Sequence, residues 1–141
     1  MPNKGPIIIV EDDEDDLELM QKIIHEFGVK NTVKHFRNGK EALEYLKKTT
    51  DKPFFILCDI NMPIMNGIQL RATINKDEYL RKKSIPFIFL STSANKEIVD
   101  QAFEMTVQGF FKKGQTLKEI ELILRHIIDY WTHSKHPNHY L

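Results

Sequence analysis

Glu11 and Asp12 follow directly on an apolar run, Pro6-Ile7-Ile8-Ile9-Val10, and Asp59 follows on another, Phe54-Phe55-Ile56-Leu57-Cys58. Ser91 and Thr92 close a third run, Phe87-Ile88-Phe89-Leu90, and Lys113 ends a fourth that begins at Gln108. Acids, hydroxyls and a lysine, each at the downstream end of an apolar run, share a site if those runs are neighbouring strands. Glu11, Asp12 and Asp59 brought together need a positive partner, since unit charges about 4 Å apart repel by roughly 4 kcal/mol at an effective dielectric of about 20. A hard divalent cation takes carboxylate, carbonyl and water oxygens, and a magnesium site uses few protein ligands plus phosphate oxygens. Lys113 adds a second positive charge. The set suits an acceptor carboxylate for a phosphoryl group, which needs a nucleophile in line, a metal on one oxygen and fixed donors on the others. Asp59 is the expected nucleophile. Ser91 is expected to donate its hydroxyl to one phosphoryl oxygen, and Lys113 a charge-assisted bond to another.

The elements that must position these residues alternate between strand-like and helix-like period, a βα unit five times over. The uninterrupted apolar character of Pro6 to Glu11 is that of a strand covered on both faces. Leu17, Met20, Ile23, Ile24 and Phe27 recur at helical spacing up to Gly28, an expected C-cap. Thr32 to Phe36 is a weaker second strand; Asn38 caps a helix carrying Ala42, Leu43, Tyr45 and Leu46; Phe54 to Cys58 is the third strand. The segment from Met65 to about Tyr79 reads as the third helix, and Arg81-Lys82-Lys83 as a solvated link. Phe87 to Leu90 is the fourth strand. Ile98, Val99, Ala102, Phe103 and Met105 belong to the fourth helix, Gln108 to Lys113 is the fifth strand, and Thr116 caps a final helix to about Trp131. Right-handed βαβ crossovers follow, hence an α/β fold: a doubly wound five-stranded parallel sheet with helices on both faces. In such sheets ligands bind beyond the carboxyl ends of the strands, where all the residues singled out above would lie.

A chain of 141 residues supports one domain, assigned to 1–132, with 133–141 as a polar tail. Hydrophobic residues at 41% and charged residues at 28% are those of a soluble globular protein. Nothing in the chain approaches the ~20 apolar residues of a membrane span, and no export segment opens it, so a cytoplasmic location is expected. Basic and acidic residues balance at 20 each, which offers no general attraction to nucleic acid or to an anionic membrane. The lone Cys58 reads as a core thiol. His126, His133, His136 and His139 lack partner ligands at firm metal-binding spacing, and three of them fall in the tail.

Taken in order, these motifs carry a resemblance to the response-regulator receiver family over roughly Pro6 to Trp131. Ile7 to Asp13 resembles that family's first strand and acidic pair, and Cys58-Asp59-Ile60-Asn61-Met62-Pro63 with Gly67 its phosphoacceptor loop. Ile85-Pro86 through Ser91 resembles the fourth strand with its hydroxyl, and Gly109-Phe110-Phe111-Lys112-Lys113 the fifth with its lysine. The resemblance implies the flavodoxin-like strand order 2-1-3-4-5 and a stand-alone receiver phosphorylated on Asp59 by a sensor histidine kinase or phosphotransfer protein. It implies Mg2+ held by Glu11, Asp12, Asp59 and the main-chain carbonyl of Asn61, with Asp12 a direct ligand. Ser91 and Lys113 become the groups that sense the phosphoryl, and Phe110 the aromatic switch.

The output implied is a protein partner or a homodimer, met through the fourth helix, fifth strand and fifth helix, and the chain is a phosphoacceptor rather than an enzyme with a separate substrate. Asp13, Glu14, Asp15 and Asp16 remain as charge favouring the N-terminus of the first helix. Two residues depart from the family pattern: Gly114 stands where proline usually follows the lysine, and Thr92 replaces a smaller residue, which is expected to slow small phosphodonors. Lys112 is a rival to Lys113, although period-two alternation aims it to the other face. Two other readings stay open. One is a pseudo-receiver that binds a partner without phosphorylation; the other, an aspartyl-phosphate hydrolase, lacks a second acid near Asp59, since Asn61 is an amide.

Overall fold

The computed structural model describes residues 5–84 and 86–135, so Ile85 and the histidines at 136 and 139 lie outside the described residues. Five parallel strands, β1 (Ile7–Val10), β2 (Val33–Phe36), β3 (Phe55–Cys58), β4 (Phe87–Ser91) and β5 (Gly109–Lys112), form one sheet in the order β2-β1-β3-β4-β5. Among the described residues six helices connect them: α1 (Glu14–Glu26), α2 (Gly39–Lys48), α3 (Gly67–Asn75), α4 (Glu78–Lys83), α5 (Lys96–Glu104) and α6 (Leu117–His133).

Strand alternation divides the core in two. Ile7, Ile9, Phe55, Leu57, Ile88 and Leu90 face Leu17, Met20, Ile23 and Ile24 of α1 and Ile120, Leu124, Ile127 and Ile128 of α6. Their neighbours Ile8, Val10, Ile56, Cys58, Phe87 and Phe89 face α2, α3, α4 and α5 on the opposite side. Burial on both faces accounts for strands that read as continuous apolar runs. No helix of the described residues is long and apolar enough to cross a membrane.

Helix starts follow their caps. Asp13, Asn38, Asn66, Asp77, Asn95 and Thr116 each accept a backbone N–H with the side chain at the N-cap position, and Asn66 with Gln69 completes a capping box. Gly28, at φ +77°, turns the chain out of α1.

The structure corrects two expectations. The single helix read from Met65 to Tyr79 is two, because Asp77 accepts the N–H of Leu80 at 3.0 Å and starts a new helix, α4. The expected fourth and fifth helices are therefore α5 and α6. The basic link is not wholly solvated either: Arg81 and Lys82 are exposed, but Lys83 is buried. The ammonium of Lys83 donates to the carbonyls of Leu46 at 2.9 Å and Thr49 at 2.5 Å, closing the C-terminal end of α2. Helical period sets this, since Lys83 lies three residues beyond the buried Leu80 on the face turned to α2. α6 continues to His133, two residues past the expected Trp131.

Candidate functional site

Register brings the acids together. Val10 pairs with Cys58 across β1 and β3, and the N–H of Asp59 donates to the carbonyl of Val10 at 2.9 Å, so both strands end level. The N–H of Glu11 donates to the carbonyl of Phe36 at 2.9 Å, which holds it as an extension of the ladder with β2. Glu11 is buried, Asp59 partly buried and Asp12 exposed, and each offers a carboxylate oxygen within 4.8 Å of the others. An all-carboxylate donor set of this kind fits a hard divalent cation rather than a soft one.

β5 supplies the positive charge. The N–H of Lys113 donates to the carbonyl of Ser91 at 2.8 Å, continuing the β4–β5 pairing one step past Lys112. Alternation then turns Lys112 outward, where it is exposed, and Lys113 inward, with its side chain only 9% exposed. The Lys113 ammonium donates to Glu11 Oε1 at 2.5 Å and to Asp16 Oδ2 at 3.0 Å, and lies 3.9 Å from Asp59 Oδ2. The other oxygen of Asp59, Oδ1, accepts the N–H of Ile60 at 2.7 Å.

Burial and these contacts shift both titrating partners. Burial pushes the Glu11 carboxyl from its ordinary 4.5 up to about 7; the Lys113 hydrogen bond pulls it back, while the charge of Asp59 raises it further. Burial works to lower the Lys113 ammonium, yet its bond to Glu11 and the charges of Asp59 and Glu11 outweigh that and hold it above the ordinary lysine range. Both shifts favour the protonated form of the group concerned, Glu11 chiefly through burial and Lys113 through the acids around it. Cys58 lies beside it as a core thiol, driven well up by burial and then by the charges of Asp59 and Glu11.

Around the cluster, Ser91 is fully buried and its Oγ accepts the N–H of Ser93 at 3.2 Å. Asn61 is exposed, and its amide donates to Ser93 Oγ at 2.7 Å, joining the loop after β3 to the loop after β4. Thr92 is exposed beside them. Phe110 is half-buried, its ring centroid 6.0 Å from that of Phe89. A Cβ at Gly114 would stand 2.4 Å from the Glu119 Cβ, and Glu119 Oε2 accepts the N–H of Gln115 at 2.7 Å. Close approach to the start of α6 is thus the reason for glycine at that place.

Sequence reasoning missed two members. Asp16, assigned to helix-end charge with its neighbours, also pairs with Lys113; nothing in the local sequence distinguished it from Glu14 and Asp15 in the same first turn of α1. Ser93 carried no signal of its own, because its link to Asn61 spans two separate loops.

The family model for the response regulator receiver domain matches residues 7–125. Response regulator Rcp1 of Synechocystis sp. is 27% identical over 130 residues, covering 89% of this chain and 87% of that protein. The solved Mn2+-bound form of Rcp1 superposes with a TM-score of 0.83 at 26% identity, over 93% of this chain and 96% of that one. Chemotaxis protein CheY-3 of Vibrio cholerae is 33% identical over 116 residues, 80% of this chain and 85% of its own. The phosphorylated cyanobacterial phytochrome response regulator RcpA matches with a TM-score of 0.86 at 29% identity, over 94% of this chain and 98% of that one. Fold, strand order, motif order and these matches agree, and the chain belongs to the response regulator receiver domain family of two-component signalling.

Proposed function

We propose that the chain accepts a phosphoryl group on Asp59 from a phosphohistidine of a sensor kinase or phosphotransfer protein, and that the modification changes its affinity for a protein partner. The observation that carries this reading is the setting of Asp59: a carboxylate at a strand end, 11% exposed, beside two further acids and one lysine. An Asp59 oxygen attacks phosphorus, the P–N bond breaks, and its electron pair leaves on the imidazole, which takes up a proton. Lys113 stands ready to donate to a phosphoryl oxygen, and the Ser91 hydroxyl to another once it turns from the N–H of Ser93. Glu11, Asp12, Asp59 and the main-chain carbonyl of Asn61 are the groups that would hold Mg2+, whose charge offsets that of the acids and of the incoming phosphoryl.

Phe110, a β5 residue whose ring lies against that of Phe89, is the side chain we assign to report the change. The partner would meet the face of α5, β5 and α6, where Phe103, Leu122 and Tyr130 are exposed. The test is intact-mass measurement after incubation with acetyl phosphate and magnesium, or with a phosphorylated kinase domain should Thr92 slow the small donor. One phosphoryl increment, labile to hydroxylamine as an acyl phosphate must be, is expected. Its absence with both donors would overturn the reading.

The position of Glu11 gives this site a pH dependence. A carboxyl raised in the folded state contributes stability that is present below its ordinary range and is lost as pH rises through about 7. The metal-free fold therefore weakens across that window. Magnesium affinity moves the opposite way, because a cation must displace the Glu11 proton. Calorimetric titration at pH 6 and pH 8 should show affinity rising on the order of tenfold, with proton release at the lower pH. A flat profile would remove Glu11 from the metal set.

A further inference from the structure

The Lys113 ammonium has three N–H donors, and the structure commits two of them to Glu11 and Asp16. Asp59, at 3.9 Å, is beyond a hydrogen bond. Among the described residues Lys113 is the basic group paired with all three acids, so its position is set by competition between them. Glu11 is an uncertain anchor, since it belongs to the cluster of acids that a cation would occupy. Asp16 does not. It is held by the first turn of α1, where its own N–H donates to the capping Asp13 side chain at 3.0 Å, and it is 33% exposed where Glu11 is 2% exposed.

We infer that Asp16 is a positioning residue for phosphoryl transfer: it retains Lys113 when Glu11 turns to a cation, and keeps the ammonium from closing onto the Asp59 carboxylate before a phosphoryl group arrives. An ammonium bound directly to Asp59 would occupy the attacking oxygen and compete with the metal for it. Held 3.9 Å away with one N–H uncommitted, it leaves the nucleophile open and needs only a short shift to reach a phosphoryl oxygen. This role rests on Asp59 as the acceptor.

The test is a double-mutant cycle on the full chain, with Asp16→Ala and Asp16→Asn in the wild-type and Lys113→Ala backgrounds. The rate of phosphorylation by acetyl phosphate is measured at saturating magnesium, and the Lys113 side-chain ammonium resonance is followed by NMR in the metal-free protein. Asp16→Ala should slow phosphorylation on the order of tenfold, the scale of one charge-assisted hydrogen bond, and shift the Lys113 resonance. Asp16→Asn, which keeps an acceptor without the charge and preserves the shape, should fall between. In the Lys113→Ala background neither substitution should alter the rate further. Equal slowing in both backgrounds, or an unmoved Lys113 resonance, overturns the inference while leaving Asp59 as acceptor. A wild-type chain that takes no phosphoryl group from any donor overturns both. Should Asp16→Ala unfold, the Asn variant decides.

Discussion

Asp59→Asn is expected to abolish the phosphoryl mass increment completely and, at the same time, to stabilise the metal-free fold. The amide keeps the shape of the side chain and can still accept the N–H of Ile60 that Oδ1 now takes at 2.7 Å. What it loses is a nucleophilic oxygen and a negative charge. That charge is one of the causes raising Glu11, so its removal relieves repulsion within the cluster, and the ion pair given up among the described residues is the 3.9 Å contact with Lys113. A gain of about 1 kcal/mol is the scale for a partly exposed pair of like charges. It should be largest above pH 7, where Glu11 is ionised. Urea unfolding in chelator at pH 8 reads the stability, and intact mass reads the chemistry. A retained increment in the variant would place the acceptor elsewhere; lost phosphorylation together with lost stability would mark Asp59→Asn as a folding defect.

Gly67→Ala should be more damaging than alanine at Gly28, Gly39, Gly109 or Gly114, because its added Cβ would make the closest contact of the five. A Cβ built on Gly67 lies 2.2 Å from the carbonyl oxygen of Asp59 and 2.8 Å from Cε1 of Phe89, while the N–H of Gly67 donates to the carbonyl of Ile60 at 2.9 Å. The first contact is with backbone, so no side chain can swing aside. Relief requires moving either the start of α3 or the strand end that carries Asp59. A cost of about 3 kcal/mol is expected, at the upper end for overpacking, together with slower phosphorylation of whatever fraction folds. Gly28→Ala is the contrast: that glycine has φ +77° but nothing within 4 Å of its Cβ, so only backbone strain of about 1 kcal/mol is at stake, far from the acceptor. Paired urea and phosphorylation measurements distinguish the two. A Gly67→Ala protein as stable as Gly28→Ala would contradict the close approach of α3 to Asp59.

The amino-acid sequence alone determined the strands, their parallel sense and the edge at which Glu11, Asp12, Asp59 and Lys113 meet, while the order of the strands came from the family resemblance. That was legible because strand period and N-caps are written in consecutive residues, and because a doubly wound sheet gathers strand ends at one edge. The choice of Lys113 over Lys112 was also legible, since alternation along β5 is a local property. Tertiary structure alone decided who pairs with whom. Lys113 meets Glu11 and Asp16 across 102 and 97 residues of chain, and no local pattern measures a distance between groups so far apart. The same holds for Lys83, whose charge reads as solvated until α4 turns it onto the open carbonyls of α2. The rise of Glu11 to about 7 belongs here too. It comes from burial beneath neighbours that the fold, and not the sequence order, sets around it.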